Sequence, residues 1–290
     1  MEKKLDTLVG DIYDLFNGEE SHYPEDNNIR ILLNGIAKAV RLKMLKNKDW
    51  EPRLRMSNIG KPDRQVWYEL NKAPREKWLP NTQIKFLLGD IIEELFLFLA
   101  KEAGHKVEGE QKEIEIDGIR GRMDAIIDGV VVDVKSASSF AFKKFRNNTL
   151  AEDDPFGYID QISGYAQSEG EEYPAFLAVD KQNGTATISR IKAKNVKPRI
   201  KKLKQLLDKD TPPERCYEDV AEGVSGNRIL PIGCAYCGFK QHCWSDANGG
   251  KGLRTFAFTH AIKHFTEVVR EPTGMELNGG KSTITTEQNR

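Results

Sequence analysis

The sequence has no long apolar segment that is free of charge. Its longest apolar run, residues 91–100, is interrupted by Glu93 and Glu94, whereas a helix that crosses a bilayer needs about 20 mainly apolar residues. The first six residues, Met-Glu-Lys-Lys-Leu-Asp, also lack the apolar stretch of a secretory signal peptide. These absences argue against a membrane-spanning helix, and we expect a soluble, cytoplasmic protein.

Cysteine is scarce and confined to the last third of the chain. The four cysteines are Cys216, Cys234, Cys237 and Cys243. They are too few and too clustered for the disulfide framework of a small secreted domain. The spacing Cys-x2-Cys-x5-Cys of the last three is typical of thiolate ligands to zinc or to an iron–sulfur cluster. The sequence therefore predicts a metal-binding loop.

Net charge is also absent. Among 290 residues, 44 Lys and Arg balance 44 Asp and Glu, which excludes a globally basic nucleic-acid coat and a strongly acidic disordered chain. Positive charge is nevertheless concentrated locally, because the segment 192–204 carries seven cations and no acid. We expect a basic helix there, which either contacts phosphate groups or forms a solvated surface.

Hydrophobic periodicity and composition divide the chain into four segments. Residues 1–50 predict a helical N-terminal extension, and residues 51–210 predict a core of helices and strands. Residues 211–273 form a region around the cysteines, and residues 274–290 predict a polar, disordered tail.

Within the core, helical and strand signals follow one another. Helices are predicted over 83–103 and from the sequence Asp153-Asp154-Pro155 onward. Strands are predicted over the segments 113–116, 120–127, 130–134, 175–180 and 185–191. The fold class is therefore α/β.

Two carboxylates and a lysine are expected to meet on neighbouring strands. The turn Asp128-Gly129 predicts a hairpin, so that Asp124 on one strand lies beside Asp133 on the next. Side chains alternate along a strand, and Asp133 and Lys135 therefore point to the same face. Such a group suits phosphodiester hydrolysis, because carboxylates bind Mg²⁺ or Mn²⁺ and a lysine orients or deprotonates the attacking water. The alternative is an ordinary surface ion pair between Asp133 and Lys135.

The motifs around these residues resemble those of a known nuclease family. In chain order they are Gly89-x-x-x-Glu93, Asp124 with Asp133-x-Lys135, and Gln161-x-x-x-Tyr165. Together they are similar to the PD-(D/E)xK superfamily in its RecB-like branch, and the cysteine loop resembles that of the branch's four-cysteine iron–sulfur exonucleases. The resemblance implies a restriction-endonuclease-like core, a mixed central sheet flanked by helices. It also implies a helical N-terminal extension and a C-terminal cysteine-cluster region.

For this chain the resemblance implies a catalytic site for Mg²⁺ or Mn²⁺. The implied metal ligands are Glu93, Asp124, Asp133 and the backbone carbonyl of Val134. Lys135 is the implied catalytic lysine. Glu93 stands where the branch usually has histidine, and a carboxylate suits Mg²⁺ at least as well as an imidazole. Glu94 is the alternative ligand from the same helix.

Contacts to DNA are expected from two places. The resemblance implies that Gln161 and Tyr165 position the substrate strand, and packing within the helix is the alternative for both. After the Asp-x-Lys strand, Lys143, Lys144 and Arg146 alternate with phenylalanines. We expect a mobile loop there that holds single-stranded DNA by charge and stacking.

The family's fourth cysteine precedes the nuclease core. Residues 57–68 reproduce its sequence frame, but Pro62 stands at the cysteine position. Cys216 is the natural substitute, and His242 is a less favoured one. We expect a [4Fe–4S] cluster bound by Cys216, Cys234, Cys237 and Cys243. Zn²⁺ is the alternative, and the absence of any metal is the third possibility.

The activity that the resemblance implies is a divalent-metal-dependent DNA exonuclease. It would act on linear or single-stranded ends in phage-type recombination, replication or repair, in the host cytoplasm if the gene belongs to a phage. The sequence has no helicase P-loop, so unwinding would need a partner such as a helicase, with single-strand-binding or recombination proteins as further partners. A structure-specific endonuclease and a non-catalytic DNA-end-binding module with the same fold are the alternatives.

Overall fold

The chain divides into two compact units that are both discontinuous in sequence. The computed structural model describes residues 3–18, 21–45, 52–259 and 261–277. The first unit is formed by Met1–Lys61 with Trp78–Asp208, and the second by Pro62–Lys77 with Lys209–Arg290. One unit boundary, between Asp208 and Lys209, lies within two residues of the predicted boundary at 210. No unit boundary falls at 50, and residues 62–77 group with the cysteine region.

Helices and strands alternate along much of the chain. The helices are α1 (Leu8–Asn17), α2 (Asp26–Met44), α3 (Asp63–Leu70), α4 (Pro80–Glu102), α5 (Ser139–Arg146), α6 (Tyr158–Glu169), α7 (Lys197–Gln205), α8 (Ile232–Ala235), α9 (Lys240–Cys243) and α10 (Ala247–Gly250). The strands are β1 (Val107–Glu108), β2 (Glu113–Ile116), β3 (Ile119–Arg122), β4 (Ala125–Ile127), β5 (Val130–Ala137), β6 (Ala175–Asp180), β7 (Ala186–Arg190), β8 (Val220–Ala221), β9 (Arg228–Ile229), β10 (Arg254–Ala257), β11 (Ile262–Glu267) and β12 (Met275–Glu276). Within the described ranges, no helix combines the length and the apolar character needed to cross a membrane.

The first unit is built around a five-stranded mixed sheet in the order β1-β4-β5-β6-β7. Strands β5 and β6 are parallel, and the other neighbours are antiparallel. Helices α1 and α4 pack on one face, in a core that includes Ile12 and Phe96. Helices α5 and α6 contribute Phe142 and Ile162 to a second core that contains Phe176 of β6. The predicted α/β class, with helices flanking a mixed sheet and a helical N-terminal region, is confirmed.

Strand β5 presents different side chains to its two faces. Val132 and Val134 belong to the core with α4, whereas Ala137 belongs to the core with α5 and α6. Because side chains alternate along a strand, Asp133 and Lys135 share the face of Ala137. The strand thereby places an acid and a lysine on the face that α6 covers.

The segment predicted as one strand over 120–127 is two strands in separate sheets. Strand β3 pairs with β2 in a hairpin, and β4 joins the central sheet. At the break, the Met123 N–H donates to the Lys112 carbonyl, and the Asp124 carbonyl accepts a hydrogen bond from the Gln111 N–H. The prediction of a continuous strand was wrong because hydrophobic alternation does not show where a chain leaves one sheet for another.

The mobile loop predicted after β5 is helix α5. The side-chain oxygen of Ser138 caps it by accepting a hydrogen bond from the Ala141 N–H at 3.3 Å. Phe142 and Phe145 are buried three residues apart on one face of the helix. The loop prediction was wrong because this spacing directs two of the phenylalanines into the core. The cations of this helix are Lys143, Lys144 and Arg146.

Helix α6 begins later than the Asp153-Asp154-Pro155 signal indicates. The carboxylate of Asp154 accepts hydrogen bonds from the N–H groups of Tyr158 and Ile159 at 3.0 and 2.8 Å. Asp154 therefore serves the first turn of the helix from four residues upstream, and α6 starts at Tyr158.

The basic segment 192–204 is helical only from Lys197 onward. The N–H groups of Lys194 and Val196 donate to the side chains of Ser163 and Gln167 on α6, at 3.0 and 3.1 Å. These contacts hold Lys194 and Val196 against α6 in a segment without regular secondary structure, which the charge pattern did not indicate.

The second unit contains an antiparallel sheet in the order β12-β10-β11-β9-β8. Strand β12 pairs with β10 through Met275 and Glu276. The disordered tail predicted from residue 274 therefore does not begin there, and residues 278–290 lie outside the described ranges.

Candidate functional site

The two aspartates of the motif are neighbours at the end of the β4–β5 hairpin. The register pairs Ala125 with Val132, so the next position in the ladder sets Asp124 opposite Asp133. Oδ2 of Asp124 accepts a hydrogen bond from the Val134 N–H at 2.8 Å. Burial and the charge of Asp133 raise the pKa of Asp124 above its usual range. The hairpin thus brings together the two carboxylates that the sequence placed side by side.

Asp133 and Lys135 form an ion pair within this site. The Asp133 side chain is 1% exposed, and Lys135 keeps 17% of its side-chain surface. Oδ1 of Asp133 is buried and has no hydrogen-bond partner among the described residues. Burial alone would lower the pKa of Lys135, but the charges of Asp133 and Asp124 outweigh it and hold that pKa above its usual range. Lys135 is therefore an ammonium group in the metal-free protein.

Helix α4 brings Glu93 to the same site. A Cβ atom at Gly89, one turn earlier, would lie 3.0 Å from Oγ of Ser136 on β5, so the glycine allows the helix to approach the strand closely. Burial, together with the charges of Asp124 and Asp133, raises the pKa of Glu93. Glu93 is therefore within electrostatic reach of both aspartates.

Glu94, the alternative ligand on this helix, points elsewhere. A Cβ atom at Gly35 of α2 would overlap the Glu94 carboxylate. Burial and the charge of Glu110 raise the pKa of Glu94. Since its carboxylate packs against α2, Glu94 is a poorer candidate than Glu93.

Helix α6 lines the site with two tyrosines and a glutamine. Nε2 of Gln161 donates to the Tyr165 hydroxyl at 2.9 Å. Tyr165 is 2% exposed, and burial and the charge of Asp133 raise its pKa. The Lys135 ammonium lies 5.0 Å from the ring centroid of Tyr158, which the sequence reasoning missed. The i, i+3, i+7 spacing of Tyr158, Gln161 and Tyr165 would have revealed their common face.

The acidic group has the chemistry of a site for a hard divalent cation. Within the described part of the chain, no three Asp, Glu, His or Cys side chains are already arranged as ligands of one metal ion. Nevertheless, the ionised forms of Glu93, Asp124 and Asp133 repel one another. The buried Oδ1 of Asp133 also lacks a hydrogen-bond partner in the described part of the chain. Carboxylate oxygens are the ligands that Mg²⁺ and Mn²⁺ prefer, so the residues present fit such an ion.

Helix α5 places one of its cations, Lys144, beside an exposed ring. Phe140 is 76% exposed, and the Lys144 ammonium lies 5.7 Å from its centroid. Lys144 also forms an ion pair with Asp153, while the Arg146 guanidinium lies 5.9 Å from the Phe142 ring. Only Phe140 of the three phenylalanines is therefore open to stacking.

In the second unit, the four cysteines line one small cavity. Cys216, Cys234, Cys237 and Cys243 all border it, and none of them forms a disulfide. Burial and the charges of Cys237 and Cys243 raise the pKa of Cys234 to about 12. Burial also raises the pKa of Cys216, although the N–H groups of Arg64 and Gln65 counteract this.

Pro62, at the position of the expected fourth cysteine, borders the same cavity. It is the N-terminal cap residue of α3. His242 instead packs its ring against Tyr68, with the two centroids 5.1 Å apart. Pro62, which stands at the position of the family's fourth cysteine, and Cys216, the proposed substitute ligand, therefore border the same cavity.

Comparisons with known proteins give structural matches alone. No family model and no curated protein matches the chain. The crystal structure of SSO0001 matches with a TM-score of 0.39 and 17% identity, over 75% of this chain and 96% of that one. An alkaline exonuclease from Laribacter hongkongensis matches with a TM-score of 0.33 and 12% identity, over 54% of this chain and 84% of that one. A phage-related exonuclease from Haemophilus somnus 129PT matches with a TM-score of 0.38 and 16% identity, over 54% and 90%. All three scores are below 0.5, and the function proposed below rests on the site itself.

Proposed function

We propose that the first unit is a divalent-metal-dependent deoxyribonuclease that removes nucleotides from DNA ends. The observation that carries the proposal is the electrostatic proximity of Glu93, Asp124 and Asp133. Oδ1 of Asp133 is buried without a hydrogen-bond partner among the described residues, and the Lys135 ammonium pairs with the same carboxylate. Three mutually repelling acids and one lysine have little value as structural groups, because buried charges destabilise a fold unless they are compensated. The arrangement suits a cation and a phosphodiester.

Each side chain has a distinct task in this proposal. Glu93, Asp124 and Asp133, with the carbonyl of Val134, would hold Mg²⁺ or Mn²⁺, which activates a water and offsets the negative charge of the reacting phosphate. Lys135 is held as an ammonium by its acidic neighbours. Beside a bound cation, which offsets the charge of those neighbours, Lys135 would orient or deprotonate the attacking water, or donate a hydrogen bond to a phosphate oxygen.

The substrate strand would run along helices α6 and α5. Nε2 of Gln161 donates to the Tyr165 hydroxyl, and the Gln161 carbonyl oxygen would contact the strand. Lys143, Lys144 and Arg146 supply positive charge, and Phe140 supplies a stacking surface. A helicase, a single-strand-binding protein or a recombination protein would deliver the single-stranded end.

Three DNA substrates test the activity. We expect 5′-labelled linear single strands or duplexes to be degraded in Mg²⁺ or Mn²⁺, and covalently closed circles to stay intact. EDTA should stop the reaction, because without a cation the acids can neither activate a water nor offset the negative charge of the phosphate. Cleavage of circles would show a structure-specific endonuclease instead. Tight binding of DNA without turnover in either metal would show an end-binding module.

We propose that the second unit holds a structural [4Fe–4S] cluster through Cys216, Cys234, Cys237 and Cys243, with Zn²⁺ as the alternative metal. The proposal is supported by the shared cavity of the four thiols and by the electrostatic influence of Cys237 and Cys243 on Cys234. Buried thiols are poorly ionised until a metal binds them, and coordination removes the proton. No cysteine lies in the first unit, so the cluster would stabilise the second unit and take no part in hydrolysis.

Moving one ligand across the cavity tests this assignment. Cys216→Ala should lose the metal, and the double variant Cys216→Ala/Pro62→Cys should recover it, because residue 62 borders the same cavity. His242→Ala should keep it. The measurement is iron and zinc content, with visible absorption, of anaerobically purified protein. Zinc in place of iron would select the alternative metal, and neither metal in the wild-type protein would refute the site.

A further inference from the structure

Gln111 occupies a backbone conformation that its side chain does not favour. Residues 109–112 form a turn in which the Lys112 N–H donates to the Gly109 carbonyl at 3.0 Å. Within it, Gln111 has a φ of 55°, in the left-handed region where glycine and asparagine are common and glutamine is not. Such strain persists where the surrounding structure requires it, and it often marks a functional position.

Both ends of Gln111 are bonded to the acidic site. Its backbone N–H donates to the Asp124 carbonyl at 3.1 Å. Its side-chain Nε2 donates to Oε1 of Glu93 at 2.7 Å. One residue therefore connects the helix that carries Glu93 to the chain segment that carries Asp124.

The hydrogen bond from Gln111 also fixes the orientation of the Glu93 carboxylate. A carboxylate on a long side chain rotates freely unless a donor holds one oxygen, and a ligand that is already oriented binds its metal more tightly. The amide of Gln111 is a neutral donor, so it orients Glu93 without cancelling the negative charge that a cation needs. A lysine or arginine in its place would neutralise the ligand.

We infer that Gln111 is a positioning residue that orients the Glu93 carboxylate for a divalent cation. The inference rests on the metal site of the proposed function and adds a residue that no motif includes. The inference gives the strained turn a purpose, because in this conformation Gln111 makes both hydrogen bonds, from its peptide N–H to Asp124 and from its side chain to Glu93.

Two substitutions separate this role from that of an ordinary turn residue. Gln111→Gly and Gln111→Asn both suit the left-handed backbone, but glycine has no amide and asparagine is one methylene shorter. We expect each to weaken Mn²⁺ binding by roughly 10- to 100-fold, measured by calorimetric titration of the full chain. The backbone bond to Asp124 is retained in both, and thermal unfolding in EDTA verifies that both variants fold.

The matched control is Asp117→Gly at the β2–β3 turn. Asp117 has a similar φ of 48°, and we expect Mn²⁺ binding as in the wild type. Unchanged Mn²⁺ affinity in both Gln111 variants would overturn the inference and leave the proposed function standing. If the wild-type protein itself binds no Mn²⁺, the metal site of the proposed function fails, and the inference fails with it.

Discussion

Lys135→Ala is expected to slow DNA hydrolysis by a factor of about 10²–10⁴, the range for loss of a group that assists proton transfer or charge stabilisation at a reacting centre. Binding of DNA should persist, because the cations of α5 and the polar groups of α6 remain. The measurement is the initial rate on linear DNA in Mg²⁺, with affinity measured separately in Ca²⁺. An unchanged rate would remove Lys135 from the mechanism.

Controls for this variant address charge and folding. Lys135 neutralises buried acids, so its loss leaves Asp133 without an ion-pair partner and destabilises the metal-free protein. Lys135→Met keeps the bulk of the side chain. We expect this variant to fold and to hydrolyse DNA as slowly as Lys135→Ala. Lys106, which pairs with Glu108 at the surface, gives the matched variant Lys106→Ala, for which we expect wild-type activity. Lys135→Arg keeps the charge but replaces a compact donor by a planar one, and its rate should also be low.

Glu93→Gln is expected to abolish most activity while making the metal-free protein more stable. Loss of one carboxylate ligand should lower the rate roughly 100-fold or more, since metal assistance contributes several kcal/mol to transition-state stabilisation. The gain in stability follows because the substitution removes an acid whose ionised form is repelled by Asp124 and Asp133. Thermal unfolding in EDTA measures it. Added Mn²⁺ should stabilise the wild type but not the variant.

The difference in stability between Glu93→Gln and the wild type should depend on pH. The pKa of Glu93 is raised in the folded state, so the unfolded chain ionises first as the pH rises. The wild type therefore loses stability as the pH rises from about 4.5, the pKa of Glu93 in the unfolded chain, up through its raised pKa in the folded protein. Glu93→Gln should therefore gain most at pH 8–9 and little at pH 4. Glu94→Gln is the neighbouring control, and a larger loss of activity in that variant would transfer the ligand role to Glu94.

Local signals predicted the hairpin that carries the aspartates. Asp128-Gly129 is a strong turn signal, and strand alternation then fixes the shared face of Asp133 and Lys135. Strands β2 and β6 also have the predicted bounds, 113–116 and 175–180. Such features depend on residues close in sequence, which is why a single sequence was enough to place them.

The missed residues depend on contacts distant in sequence. Gln111 reaches Glu93 from a turn 18 residues away, and no spacing rule joins the two. Tyr158 contacts Lys135 only because α6 crosses β5. In the segment of α5, a local pattern was given too much weight. Its alternating cations and rings suggested a loop that stacks on nucleic acid, but two of the three rings are core residues.

The discontinuity of the second unit has a consequence for the order of synthesis. Helix α3 leaves the ribosome before the entire central sheet of the first unit, yet its partners are made after that sheet: Trp67 donates to the Lys209 carbonyl, and Tyr68 packs on Phe239. Chains grow at about 5–20 residues per second, so Tyr68 spends many seconds without Phe239, the ring on which it packs. Until those partners emerge, we expect α3 of the nascent chain to be exposed to proteases and to aggregation. A message that ends after residue 208 would leave that helix uncovered permanently.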